Sequence, residues 1–117
     1  MRVADALGRY GEETAARHLV DAGMSVIDRN WRCPAGEIDI VARDDDTLVI
    51  CEVKTRSSDA FGAAVEAVTP AKAARLRRLA ALWLAAHDVR AAEIRVDVVA
   101  VSRGRHGVAV QHLRGVV

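Results

Sequence analysis

Hydrophobic and polar positions repeat in different ways along the chain, and each repeat predicts a different element. In residues 4–22, apolar positions recur three and four apart, which is typical of an amphipathic helix, and Gly23 supplies its end. Residues 24–31 and 37–42 are short β-rich runs, and they flank the turn-prone residues 33–36. The first third of the chain therefore predicts one helix followed by two strands.

The remaining chain predicts three more strands and a second helix. Residues 48–51 are apolar throughout, as expected for a central strand covered on both faces. Residues 55–68 predict a loop, after which Thr69 and Pro70 start a helix that runs to about His87. Residues 94–101 and 108–113 predict the last two strands. The order α-β-β-β-α-β-β indicates an α/β fold with a sheet flanked by helices.

Composition narrows the class of protein. A chain of 117 residues, 51% hydrophobic and 28% charged, predicts a single domain over residues 1–117. Four aromatic residues are too few for a base-stacking sheet. The two cysteines form no CxxC pair, which favours free thiols in a reducing compartment. Without a leader-like or membrane-spanning apolar run, we expect a cytoplasmic protein with no membrane contact.

Acidic residues are predicted to meet across one hairpin. If the hairpin is centred between Asp45 and Asp46, Asp39 lies directly opposite Glu52. Opposed side chains have Cβ atoms about 4.5–5.5 Å apart, so two like charges there repel unless a cation lies between them. Alternate residues share a face, which adds Glu37 beside Asp39 and Lys54 beside Glu52. Three carboxylates and one amine converge in this register.

Two interpretations of this cluster stay open at this point. Carboxylate oxygens, a main-chain carbonyl such as that of Val53, and waters are the ligands that Mg²⁺ prefers, and such a site suits phosphodiester hydrolysis. Alternatively, the acids and the lysine form surface ion pairs worth about 0–1 kcal/mol. Glu12 lies on the apolar stripe of the first helix, where it either joins this cluster or pairs with an arginine. We expect Gly8 and Gly11 to let that helix approach the sheet closely.

Four sequence blocks resemble a known family across almost the whole chain, from about Leu7 to Val101. They are Gly8-x-x-Gly11-Glu12-x-x-Ala15, Gly36-Glu37-Ile38-Asp39-Ile40-Val41, Glu52-Val53-Lys54-Thr55-Arg56 and Arg95-Val96-Asp97-Val98-Val99. These blocks resemble the bacterial YraN-like family, which is similar in turn to archaeal Holliday-junction resolvases and other PD-(D/E)xK nucleases. The resemblance implies a single-domain, restriction-endonuclease-like fold with a mixed sheet.

The resemblance also implies roles for individual residues. Asp39 and Glu52 would be ligands of Mg²⁺, with Mn²⁺ as a substitute, Lys54 would be the catalytic lysine, and Glu12 would complete the site. Ile38 stands where the wider superfamily has proline, which removes no ligand. The implied activity is DNA phosphodiester hydrolysis on branched or structured DNA. Resolvase-like nucleases commonly work as symmetric dimers, so the resemblance implies a homodimer.

The net charge of +1 conceals an uneven distribution. Residues 1–46 carry 6 Lys+Arg and 10 Asp+Glu, whereas residues 47–117 carry 11 and 6. Lys72, Arg75 and Arg78 recur every three residues on the second helix, and Arg56 follows the central strand. These four residues are candidate phosphate ligands. The other interpretation of the stripe is an ordinary solvated helix face.

The remaining polar residues are predicted to lie outside the site. His18, His87, His106 and His112 lack metal-ligand spacing, so we expect no zinc and place them at the surface or its boundary. Asp97 is predicted to be a structural acid. Three functions remain: a metal-dependent endonuclease, a nucleic-acid-binding accessory protein in DNA processing with weak or no catalysis, and a protein whose acids form only ion pairs.

Overall fold

The computed structural model describes residues 3–56 and 68–116, with side chains from residue 6 onward. Its elements follow the predicted order, and they are α1 (Val3–Asp21), β1 (Ser25–Cys33), β2 (Gly36–Asp44), β3 (Thr47–Arg56), α2 (Pro70–His87), β4 (Glu93–Gly104) and β5 (Gly107–Leu113). The predicted α/β class and element order are confirmed. Within the described ranges, no helix has the length and apolar character needed to cross a membrane.

The five strands form one mixed sheet in the order β1-β2-β3-β4-β5, and each face carries one helix. β3 and β4 are parallel and are connected through α2, whereas the other neighbours are antiparallel. Alternate residues of β3 point to opposite faces. Val49 and Cys51 pack in the cluster beneath α1, while Leu48 and Ile50 pack in the cluster beneath α2. β3 is therefore the predicted central strand.

The third strand is longer than its apolar pattern predicts. Parallel pairing with β4 continues to Thr55↔Val101 and Arg56↔Ser102, so the loop predicted to begin at Thr55 is wrong at its start. Main-chain hydrogen bonds to β4 hold these polar residues in the strand, although their side chains lack the apolar signal. Residues 57–67 of that predicted loop lie outside the described residues.

Both ends of α2 follow from local chemistry. The Thr69 hydroxyl accepts a hydrogen bond from the Lys72 N–H at 3.1 Å, and Pro70 occupies the first helical position. At the other end, Asp88 adopts φ 52° and ψ 45°, and its N–H donates to the Leu84 carbonyl. The predicted helix start and end are confirmed. The cap also fixes the first turn of α2, which carries Lys72.

A fully buried carboxylate anchors β4 to the end of the chain. Asp97 accepts hydrogen bonds from Arg95 at 2.8 and 3.0 Å and from the Gly115 N–H at 3.0 Å, and it lies 2.8 Å from His112 Nε2. Burial raises the pKa of Asp97, but these hydrogen bonds outweigh it and hold the pKa below its usual value. The prediction of a structural acid agrees with these contacts.

The histidines are more constrained than the sequence predicts. The His112 side chain is only 8% exposed, and its Nδ1 lies 3.3 Å from His18 Nε2. His87 stacks on the Trp83 ring at 4.1 Å between centroids. The expectation of a surface or boundary position is confirmed for His87, which is exposed, and needs correction for His112, because its side chain is held by Asp97 and His18.

α1 approaches the sheet closely at one of its two predicted glycines. A Cβ built on Gly11 would overlap the Thr55 side chain and lie 3.0 Å from its Cβ, whereas a Cβ on Gly8 would meet nothing within 4 Å. The prediction is confirmed for Gly11 and wrong for Gly8. Because Glu12 follows Gly11 directly, this contact also sets the distance between Glu12 and the strand ends.

We predict that Gly11→Ala destabilises the fold by about 1–3 kcal/mol, because the added methyl group overpacks the contact with Thr55. Gly8→Ala is the matched control, and we expect it to stabilise α1 by about 0.5–1 kcal/mol, since alanine is the better helix former and the position is open. Urea unfolding measures both. Thr55→Ala should recover part of the loss in the Gly11→Ala background; equal effects of the two glycine changes would contradict the close contact.

Candidate functional site

The predicted register of the β2–β3 hairpin is present in the structure. Asp44 pairs with Thr47, and the ladder continues to Ile40↔Cys51. Asp39 and Glu52 are the next residues on the two strands, just beyond the last paired position. There, Asp39 Oδ2 accepts a hydrogen bond from the Val53 N–H at 2.9 Å. The aspartate turn therefore brings these two carboxylates to neighbouring positions at the strand ends.

The strand geometry changes at Asp39. On the β1–β2 ladder, Arg29 pairs with Ile40 and Trp31 with Ile38, and Asn30 and Asp39 occupy the position between them. Asn30 has φ 53°, in the left-handed region that asparagine tolerates better than most residues. Ile38 packs in the cluster beneath α2, yet Ile40 packs in the cluster beneath α1. The alternation of faces is thus broken at Asp39.

Three acids, Glu37, Asp39 and Glu52, line a cleft of about 280 Å³ together with Lys72, between α2 and the ends of β2 and β3. Glu52 Oε1 lies 3.2 Å from Lys72 Nζ and 3.6 Å from Lys54 Nζ, and the Glu52 side chain is 15% exposed. Arg75 also lines this cleft. Lys54 comes from the strand that carries Glu52, whereas Lys72 and Arg75 come from α2. The cleft therefore combines carboxylates and cations from separate elements.

Asp39 is the most strongly perturbed acid of this cluster. Burial raises the pKa of Asp39 to about 6, the hydrogen bond from the Val53 N–H opposes that rise, and the charges of Glu52, Glu12 and Glu37 add to it. Because Glu37, Asp39 and Glu52 line one cleft, the predicted convergence of these three acids holds in the structure. Any cation that enters the cluster therefore reduces the repulsion between its carboxylates.

Glu12 is the acid that α1 contributes near Asp39, although it does not line the cleft. It lies on the same helix stripe as the buried residues Ala15 and Leu19, and its Oε1 is buried without a hydrogen-bond partner among the described residues. Burial raises the pKa of Glu12, which nearby Arg29 and a hydrogen bond from the Asn30 side chain oppose. A buried carboxylate oxygen without a partner is costly, so this atom is available to a ligand or a water.

Lys54 is held by charges of both signs. Burial lowers the pKa of Lys54, the proximity of Lys72 lowers it further, and Glu52 and Asp39 oppose the change. An ammonium with a lowered pKa beside two carboxylates can donate a hydrogen bond or take part in proton transfer. Its position matches the one that the sequence predicts, next to Glu52 on the same strand.

The remaining predicted residues divide between the cleft and the surface. Glu37 lines the cleft, but its carboxylate also pairs with Arg32 at 3.4 Å and is 38% exposed. Arg56 ends β3, half-buried and two residues beyond Lys54. Arg78 is exposed and is not part of the cleft lining, because each step of three residues turns a helix by about 60° away from the previous position. The basic stripe therefore enters the cleft only with its first two members.

The donor set of Asp39 and Glu52 fits a hard divalent cation. Two carboxylates at adjacent strand ends, with the unpartnered Glu12 oxygen nearby, offer the oxygen ligands that Mg²⁺ binds. Within the described ranges, no group of three or more His, Cys, Asp or Glu side chains is already arranged around a single point for a metal. A metal here would therefore use two protein carboxylates and complete its shell with water, as Mg²⁺ commonly does.

Sequence reasoning missed one contact of Lys72 and one further residue, Asn30. Lys72 was expected only on a phosphate-binding stripe, yet it lies against Glu52, because no pattern in the sequence reports how far α2 extends over the strand ends. The Asn30 side chain donates a hydrogen bond to Glu12, which lowers the pKa of that acid, and Asn30 lies at the break in strand alternation. Its signal was available, since an asparagine in the middle of a predicted strand is a common sign of a left-handed residue.

The fold is that of a compact α/β protein. Its cleft brings carboxylates and lysines together at the ends of two neighbouring strands, β2 and β3. Residues 11–101 match the family described as "Uncharacterised protein family UPF0102". The chain belongs to this family, which is the YraN-like family that the sequence blocks resemble.

Several bacterial relatives, each named "UPF0102 protein", align over nearly the full chain. The Beutenbergia cavernae protein is 64% identical over 117 residues, covering 99% of each chain. The Kineococcus radiotolerans protein is 60% identical and covers 99% of this chain and 97% of its own. The Streptomyces griseus protein is 58% identical and covers 99% of both. The similarity therefore includes every element that builds the cleft.

We predict that Asp39→Asn stabilises the protein at pH 7.5 by about 1–3 kcal/mol, a range reduced for solvent screening. Because the pKa of about 6 in the folded protein exceeds the ordinary value of 3.8, ionised Asp39 lowers stability above pH 6, and this cost disappears as the pH falls toward 4. Asparagine retains an acceptor for the Val53 N–H.

Urea unfolding at pH 4.5 and 7.5 measures this difference, with the exposed Glu93→Gln as a control that should change neither value by more than about 0.5 kcal/mol. If Asp39 formed an ordinary ion pair, Asp39→Asn would instead be neutral or destabilising at pH 7.5, and the cluster would not be the source of repulsion.

Proposed function

We propose that this protein is a metal-dependent endonuclease that hydrolyses phosphodiester bonds in DNA, with branched or structured DNA as its substrate class. One observation carries the proposal: Asp39, Glu52, Lys54 and Lys72 line or border one cleft, although they come from three elements. Paired carboxylates for a hard cation, next to amines that attract a phosphate, are the groups that metal-assisted phosphodiester hydrolysis requires.

Each residue has a distinct part in this proposal. Asp39 and Glu52 would hold Mg²⁺ or Mn²⁺, and the bound metal would supply an acidified water and polarise the phosphate. Lys54, beside Glu52, would orient the attacking water or stabilise the charge that develops on the phosphate oxygens. Glu12, whose buried oxygen is unpartnered among the described residues, would accept a hydrogen bond from a water of the site.

Substrate contacts come from the basic side of the cleft. Arg75 lines it directly, and Arg56 lies at the end of the strand that carries Lys54. Arginine and lysine bind phosphates without contacting the base edges. This surface would therefore recognise the shape of the DNA backbone and not its base sequence. The exposed Arg78, further along α2, would extend the contact to a neighbouring phosphate.

A second function, a DNA-binding accessory protein without catalysis, is favoured by one specific contact. Both Lys54 and Lys72 already lie against Glu52, so the charge of this carboxylate is balanced without any metal. Calorimetric titration with Mg²⁺ separates the two functions. Binding at millimolar metal supports the nuclease, whereas its absence supports the accessory protein.

We predict that the purified protein cleaves at least one member of a set of forked, junction, flap and linear DNAs in Mg²⁺ or Mn²⁺. Glu52→Gln and Lys54→Met should lower the cleavage rate at least about 100-fold, because each removes a group that acts on the reacting phosphate, while DNA affinity changes by only a few fold. Gel assays measure cleavage, and fluorescence anisotropy measures binding.

The exposed Glu93→Gln variant serves as the control and should cleave at the wild-type rate. Undiminished cleavage by Glu52→Gln and Lys54→Met would assign the activity to another site or to a contaminant. No cleavage of any DNA by the wild-type protein, with DNA binding intact, would favour the accessory function.

A further inference from the structure

Lys72 is held in place from both ends. Its N–H donates to the Thr69 hydroxyl in the N-cap of α2, and its Nζ lies 3.2 Å from Glu52 Oε1. The side chain is 21% exposed and lines the cleft, where its ammonium faces Glu52. Its neighbour one turn on, Arg75, lines the same cleft, and no contact with Glu52 is found for it among the described residues.

We propose, resting on the function proposed above, that Lys72 exchanges partners during metal binding. In the metal-free protein its ammonium is the counter-ion of Glu52. When a divalent cation binds Glu52, that ammonium is released and becomes a ligand for a phosphate of the DNA. Lys72 thereby makes DNA binding depend on metal binding.

Competition for one oxygen supports this exchange. Glu52 Oε1 lies within 4 Å of two ammonium groups, and a divalent cation on the same carboxylate repels both. Lys54 lies two residues away on the same strand and is not part of the cleft lining, so the cleft offers its ammonium less room than it offers Lys72. Lys72 belongs to a different element and has a flexible four-carbon stem, which allows its ammonium to turn toward the open cleft.

The exchange predicts different effects on DNA binding when Lys72 and Arg75 are removed. Arg75 is available to a phosphate in either state, so its removal weakens DNA binding equally with and without metal. Lys72 is occupied by Glu52 until the metal arrives, so its removal weakens DNA binding only when metal is present. By linkage, DNA must raise the affinity for metal by the same factor that metal raises the affinity for DNA.

The experiment measures the affinity of a fluorescein-labelled forked DNA in EDTA and in Ca²⁺, a hard cation that takes the same carboxylate ligands. We expect Ca²⁺ to tighten wild-type binding by about tenfold. Lys72→Met should match the wild type within about twofold in EDTA and lose most of the gain in Ca²⁺. Arg75→Met should weaken binding by a similar factor in both buffers, and circular dichroism checks that each variant is folded.

Three results count against the proposal, and they are distinguishable. If Lys72→Met weakens DNA binding equally in EDTA and in Ca²⁺, or in neither, the exchange is wrong while the metal site stands. If calorimetry shows that the wild-type protein binds neither Ca²⁺ nor Mg²⁺, the proposed function fails and the exchange fails with it. Calorimetry of Lys72→Met without DNA should show severalfold tighter Ca²⁺ binding, because its competitor for Glu52 is gone; unchanged affinity counts against competition.

Discussion

The repulsion between carboxylates around Asp39 is the constraint on which the site depends. Burial and three neighbouring acids raise the pKa of Asp39, so the fold holds together groups that would separate in an unrestrained chain. The hairpin register fixes Asp39 beside Glu52, and the close contact of Gly11 with Thr55 fixes Glu12. Repulsion within this cluster lowers the free energy of unfolding of the metal-free protein, and a bound cation raises it again.

Most of the fold was predictable because its signals are local. The aspartate turn set the β2–β3 register, and Thr69 with Pro70 set the start of α2. The apolar run of residues 48–51 identified the central strand, since a strand covered by a helix on each face has no polar side. The extension of β3 to Arg56 was not predictable, because main-chain pairing with β4 determines it.

The candidate site was predictable only where it follows strand register. Asp39, Glu52 and Lys54 lie where the turn and the hairpin register place them, whereas Lys72 reaches Glu52 through the packing of α2 against the sheet. The break in alternation at Asp39 lies next to the left-handed Asn30 of the neighbouring strand, and the period-two pattern does not predict it. His112 likewise reaches Asp97 and His18 through tertiary packing. Contacts of this kind join residues far apart in sequence and leave no periodic signal.

The most direct test of the account is a calorimetric Mg²⁺ titration at pH 6 and pH 8 in buffers of different ionisation enthalpy. If the acid cluster is a cation site, Mg²⁺ binds at both values and releases about half a proton at pH 6 but almost none at pH 8, because Asp39 must ionise to bind. Asp39→Asn should abolish that release and most of the affinity. Mg²⁺ binding that is absent, or unchanged in Asp39→Asn, would contradict the account.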